Sequence, residues 1–184
     1  MKSILVVVDM QNGFNRYDHM KKLADRVIKI TNSNIFDCII ATRFINYEGS
    51  QYTKFLNWHR LIDQKDIDLI SNIKYDKVVD KNVYTCVTPE FINMLKDIND
   101  QELPTHVFVC GADTDCCVLK IATDLFEQSI MPIVLTDYCL SNGGEESHKA
   151  GILAMSRLLG KKSLVPGEIL EKSDIENIIE QRQY

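Results

Sequence analysis

Hydrophobic residues along this chain fall into short continuous runs, and the stretches between them carry helical spacing. The first run, Ile4-Leu5-Val6-Val7-Val8, is apolar throughout and mostly β-branched. That pattern predicts a strand buried on both faces, as in a parallel sheet. Comparable runs recur at residues 38–42, 77–79, 106–110 and 132–135, with a weak sixth at 163–165. Residues 20–34 place Leu23, Val27, Ile30 and Asn34 at helical intervals. Residues 89–99 do the same with Phe91, Met94, Leu95 and Ile98, and residues 116–127 with Cys117, Val118, Ile121, Ala122, Leu125 and Phe126. A fourth helix is expected over 145–159 and a short tail helix over 174–181. This alternation predicts right-handed βαβ units in a three-layer α/β domain. No repeat, linker or low-complexity segment divides the 184 residues, so residues 1–184 read as one domain.

One stretch breaks the rhythm. Residues 44–75 scatter Phe44, Tyr47, Tyr52, Phe55 and Trp58 among polar side chains. The segment reads either as a surface excursion with one short helix near 53–62 or as a cap over a pocket, since long insertions in compact domains are often functional.

Composition narrows the class. Hydrophobic residues make up 45% and charged residues 26%, an ordinary globular balance. The net charge of -5 argues against a nucleic-acid footprint, which is usually basic. No apolar stretch approaches the length of a membrane span, and the five apolar residues before Asp9 are too few for a secretory core. The expected compartment is cytoplasmic. The six cysteines form no CxxC pair, so they are expected as thiols rather than as a metal knuckle.

Ligands of open parallel sheets bind beyond the carboxyl ends of the strands. Three ionisable residues are expected there: Asp9 after the first strand, Lys81 after the third, and Cys117 after the fourth. Thr114 or Asp115 would cap the following helix, placing Cys117 in its first turn, where free N–H groups and the helix dipole favour a thiolate. Cys116 shares that position, and helix physics alone does not separate the two. Taken singly, Asp9 also reads as a turn residue, Lys81 as a solvated lysine and Cys117 as a core thiol. Taken together they make a base, a cation and a nucleophile on neighbouring strand ends, a known arrangement for covalent catalysis.

The surrounding residues resemble a family. Asp9-Met10-Gln11-Asn12-Gly13-Phe14 is similar to the first-strand signature of the isochorismatase-like cysteine hydrolases, which include the nicotinamidases. Lys81-Asn82-Val83-Tyr84-Thr85 resembles their Lys-x-x-Tyr-Ser motif, with Thr85 in the serine position. Gly111-Ala112-Asp113-Thr114-Asp115-Cys116-Cys117-Val118 resembles their nucleophile motif Gly-x-x-Thr-Asp-x-Cys-Val, which puts Cys117 in the nucleophile position and Cys116 in the variable one. Residues 136–139 and 145–148 also resemble the family, so the likeness spans nearly the whole chain.

The resemblance implies a doubly wound, mainly parallel six-stranded sheet in the order 3-2-1-4-5-6. It implies a cis peptide between Ala112 and Asp113, with an oxyanion hole built from the N–H groups of Asp113 and Cys117. It further implies hydrolysis of an amide, carbamoyl or ureido bond of a small molecule through a thioester, catalysed by Asp9, Lys81 and Cys117, in a dimer or tetramer. Phe14, Trp58 and Tyr84 are expected at the substrate, and Arg43 either pairs with a substrate carboxylate or makes an ordinary salt bridge. The alternatives are a nicotinamidase or isochorismatase proper, or a non-catalytic binding member of the fold. Nicotinamidases carry a metal site of Asp and His after the second strand. Here that place reads Thr42-Arg43-Phe44-Ile45-Asn46, and His59 is the one histidine in the loop beyond. No metal and no other cofactor is therefore expected.

Overall fold

The computed structural model describes residues 2–182. Six strands form one parallel sheet: β1 (Ile4–Val8), β2 (Cys38–Phe44), β3 (Lys77–Lys81), β4 (His106–Ala112), β5 (Met131–Leu140) and β6 (Leu164–Val165). Their order is β3-β2-β1-β4-β5-β6, the doubly wound arrangement that the family likeness implies. β1 lies at the centre, and all five of its residues are fully buried, as its unbroken apolar run requires.

Helices flank the sheet. These are α1 (Asp18–Thr31), α2 (Gln51–Leu56), α3 (Gln64–Ile67), α4 (Pro89–Ile98), α5 (Leu119–Glu127), α6 (Glu145–Leu158) and α7 (Lys172–Glu180). Met20, Leu23, Ala24, Val27 and Ile30 form the buried stripe of α1. α4 starts cleanly because the Thr88 hydroxyl accepts from Phe91 N–H and Pro89 stands in the first turn.

The differences from expectation have local causes. α1 begins at Asp18 and stops at Thr31, whose hydroxyl turns back onto the Val27 carbonyl. β5 runs on through the polar Thr136 and Asp137 to Leu140, because its far half still pairs with β4. The expected helix over 53–62 is replaced by α2 and α3. The Ser50 hydroxyl caps α2, and Asn57 ends it in the left-handed region at φ +51°. Residues 57–63 then run as irregular chain between the two short helices.

One glycine governs how the strand ends meet. β4 bulges against β5 between Val109 and Gly111, and Gly111 takes a φ of +116°. A Cβ there would lie 2.2 Å from the Val8 carbonyl oxygen. Only glycine lets the end of β4 come this close to the end of β1. The two strands that carry Asp9 and Cys117 therefore converge.

Candidate active site

Asp9 follows β1 directly, with φ +49°, a conformation that aspartate tolerates better than most residues. It is fully buried. The Thr42 hydroxyl donates to Asp9 Oδ1 at 2.6 Å and accepts from the Asp9 N–H at 3.1 Å, so β2 fixes the carboxylate from the side. Lys81, the last residue of β3, donates from Nζ to Asp9 Oδ2 at 2.7 Å. A buried charge is tolerated only when paired, and these two are each other's partner. The same Nζ stands 3.3 Å from Cys117 Sγ, 3.3 Å from the Val83 carbonyl oxygen and 5.0 Å from the centre of the Phe44 ring. The structure thus brings the three expected residues to one point.

The route to Cys117 differs from the simple helix start expected. Neither Thr114 nor Asp115 caps a helix. Residues Thr114–Val118 form one wide turn ahead of α5, in which the Asp113 carbonyl accepts from both Cys116 and Val118 N–H groups at 3.1 Å. The side chains of Thr114 and Asp113 are engaged elsewhere, and Asp115 Oδ1 is buried without a hydrogen-bond partner among the described residues. Thr114 Oγ1 meets His148 Nδ1 on α6 at 2.8 Å, and Asp113 Oδ1 accepts from the Asn142 backbone and side-chain N–H groups at 2.9 and 2.7 Å. α6 lies hard against this turn at Gly151, where a Cβ would come within 2.8 Å of the Asp115 backbone. The peptide between Ala112 and Asp113 is cis.

Cys117 is buried, whereas Cys116 is partly exposed. Burial pushes the Cys117 thiol well above its ordinary range, the Asp9 charge raises it further, and the Lys81 charge opposes both. Desolvation at this buried position thus opposes the bias toward thiolate expected of a helix start. Burial acts to lower Lys81, but Asp9 and then Cys117 together outweigh it and keep the ammonium charged. Burial likewise lifts Cys116, to about 11.

Above this floor lies a cavity of about 400 Å³, within the range of small-molecule sites. Cys117, Cys116 and Asp113 line its base, and Phe14, Phe44, Tyr52, Trp58 and Tyr84 its walls. Phe14 stacks on Trp58 with ring centres 6.1 Å apart, and Tyr52 meets Tyr84 edge-on at 5.2 Å. Phe14, Trp58 and Tyr84 are therefore where the sequence reading expects them. Arg43 is not. It points away from the cavity and pairs with Asp80, its register partner on β3, through Nε at 2.7 Å and Nη2 at 2.8 Å. Strand alternation explains this: Thr42 and Phe44 share the face toward the site, so Arg43 between them faces away.

Sequence reasoning missed Tyr52, Arg60 and Asn142, all of which line the cavity. It also missed the role of Gln11. That buried amide donates to the Phe44 and Ile67 carbonyls at 3.0 and 2.7 Å and accepts from Phe44 N–H at 2.8 Å, tying β2 to the end of α3. A polar residue two positions beyond a buried aspartate is a signal for such a clamp, because a buried amide needs partners.

The place where nicotinamidases hold a metal has a different donor set here. Thr42 is spent on Asp9, and Asn46 donates to the Trp58 and Arg60 carbonyls at 3.0 and 3.1 Å. His59 faces Glu48 and Asn57 at 3.2 and 3.1 Å. Among the described residues, no group of three or more His, Cys, Asp or Glu side chains is placed to hold a metal ion. These residues do not fit a metal.

A family model of the isochorismatase domain matches residues 3–163. The chain belongs to the isochorismatase family. The hydrolase class expected from sequence agrees with that membership. Solved structures of the same fold include an isochorismatase-like hydrolase from Alkaliphilus metalliredigens, 18% identical over 100% of both chains with a TM-score of 0.75. A nicotinamidase from Bacillus subtilis is 15% identical, with a TM-score of 0.74 over 91% of this chain and 100% of its own. A pyrazinamidase from Pyrococcus horikoshii, solved in complex with zinc, is 16% identical, with a TM-score of 0.72 over 92% of this chain and 100% of its own. At these identities the likeness establishes the fold of this isochorismatase-family chain. Curated protein sequences provide no match to it. Among the described residues, no helix is long and apolar enough to cross a membrane.

Proposed function

We propose that this chain hydrolyses a carbon–nitrogen bond of a small amide, carbamoyl compound or ureide, with Cys117 as nucleophile, Asp9 as proton carrier and Lys81 as fixed cation. One observation carries the reading. A buried Lys81 ammonium touches both Asp9, at 2.7 Å, and the Cys117 sulfur, at 3.3 Å, beneath an aromatic-walled cavity. Keeping a carboxylate, an ammonium and a thiol together out of water is expensive, and catalysis is the commonest reason for it.

Burial disfavours the free thiolate, and Asp9 takes the thiol proton as Sγ attacks the carbonyl carbon. Lys81 holds the anionic charge of the pair throughout. Asp113 and Cys117 N–H groups receive the developing oxyanion, since the Cys116 and Val118 N–H groups are already committed to the Asp113 carbonyl. Asp9 returns its proton to the departing nitrogen, releasing ammonia or an amine and leaving a Cys117 thioester. Water then gives a proton to Asp9 and adds to the thioester. Collapse frees the carboxylic acid (a carbamate, for a carbamoyl substrate), and Asp9 gives the proton back to sulfur.

The test is ammonia release from a panel of small amides, carbamoyl compounds and ureides, run beside Cys117→Ala. Turnover that vanishes in the variant supports the assignment, and undiminished turnover in Cys117→Ala sinks it.

A further inference from the structure

The cavity wall contains a cation whose charge nothing nearby answers. Arg60 lines the cavity together with Trp58, two residues before it. The other arginines near the site have acidic partners: Arg16 pairs with Asp66 and Arg43 with Asp80. Arg60 makes no ion pair among the described residues. Glu48, on the same excursion of the chain, is taken by His59. Asp113, the one acidic residue of the lining, already has Oδ1 engaged by the Asn142 backbone and side chain. On the floor, Asp9 and Lys81 neutralise each other.

The backbone that carries Arg60 is held in place. Asn46 Nδ2 donates to both the Trp58 and Arg60 carbonyls, and Asn46 N–H donates to the Leu61 carbonyl at 2.8 Å. Leu61, fully buried, sits in the left-handed region at φ +56°, which a branched side chain rarely adopts. The chain is thus bent sharply just past Arg60 and pinned at the end of β2. Pinning leaves the guanidinium free while fixing where it starts from, and a planar fork of donors suits a carboxylate above other partners.

We propose that the substrate carries a carboxylate, held by Arg60 while the scissile carbonyl meets Cys117 and a flat body lies among Phe14, Tyr52, Trp58 and Tyr84. The proposal rests on the hydrolase reading above and adds the chemical class to it: a monoanionic amide of single-ring or short-chain size. It also moves to Arg60 the role that the sequence offered to Arg43.

Isophthalamate, the half-amide of isophthalic acid, and its methyl ester share the ring and the scissile amide, and the ester replaces the charge with a methyl group. The native chain is expected to favour isophthalamate by about tenfold or more in kcat/KM. In Arg60→Gln that ratio falls to near one, mostly through KM for the anion, and Arg60→Lys keeps part of it. A ratio near one in the native chain, or a ratio unchanged in Arg60→Gln, overturns the anion site and leaves the hydrolase reading standing. Absence of turnover with every amide overturns the hydrolase reading instead, and binding of isophthalate by calorimetry then decides. About tenfold weaker binding in Arg60→Gln supports the site, whereas equal binding, or none to the native chain, removes it.

Discussion

The floor and the wall of the cavity are built on opposite principles. The floor is made by strand ends. Asp9, Lys81 and Cys117 come from β1, β3 and the turn after β4, all are buried, and each is fixed by a charged or hydroxyl partner. Much of the wall comes from the excursion between β2 and β3, where Tyr52 lies in α2, Trp58 is half-buried and Arg60 exposed. On the proposed reading the floor supplies the chemistry and the wall selects the ligand. Mutations should divide the same way, with floor changes falling on kcat and wall changes on KM.

The largest effect is expected at the sulfur. Cys117→Ala should lower turnover by at least about 10⁴-fold, measured as ammonia release. Asp9→Asn comes next, with a loss of roughly 10³-fold or more, because the proton has no carrier. Its second readout is sharper. Asp9 raises the Cys117 thiol by its charge, so the amide should speed alkylation of Cys117 by iodoacetamide at neutral pH while turnover collapses. Slower alkylation in Asp9→Asn would contradict this account of the thiol. Lys81→Met removes the partner of a buried carboxylate and should cost about 3–5 kcal/mol of stability, read by denaturant melts.

Wall changes should be smaller. Trp58→Ala is expected to raise KM about tenfold with kcat within about threefold, since it removes a ring stacked on Phe14 and touches no reacting atom. The smallest effect is a pH dependence. Burial pushes Asp113 up to about 6, so rising pH puts a negative charge beside the cavity in that region. KM for isophthalamate should rise by about two- to threefold on going from acid to neutral pH, while KM for the methyl ester stays flat. The same shift has a sign for stability. A carboxyl raised in the folded state stabilises fully below its ordinary value of 3.8, and that contribution is lost as pH rises through about 6.

The contrast also explains what could be read from the sequence. Strand ends are legible because a β-branched run stops at a polar residue, as Val8 stops at Asp9. Motif spacing then separated Cys117 from Cys116, and it is the Cys117 sulfur that stands 3.3 Å from Lys81 Nζ. The burial that pushes the Cys117 thiol upward was not legible, because desolvation depends on everything packed around the sulfur. The wall was hardest. One short helix was expected over 53–62, but Asn57 turns the chain out of α2, and only the fold shows which aromatics face inward. The Arg43 assignment was open to correction from sequence, since residue parity along β2 puts it on the face opposite Thr42. Arg60 carried no such signal.

Gln11 stitches the excursion to the sheet. Its amide, together with Met10, Asn12 and Gly13, receives the returning chain at Ile67, Ile70, Asp68 and Asp66. Asn46 fastens the outgoing chain on the other side. The excursion is thus gripped in its middle at Trp58, Arg60 and Leu61 as well as on its return, while Asp9 is held separately by Thr42 and Lys81. Loosening Gln11 or Asn46 would therefore slacken the rim of the cavity before it reached the floor.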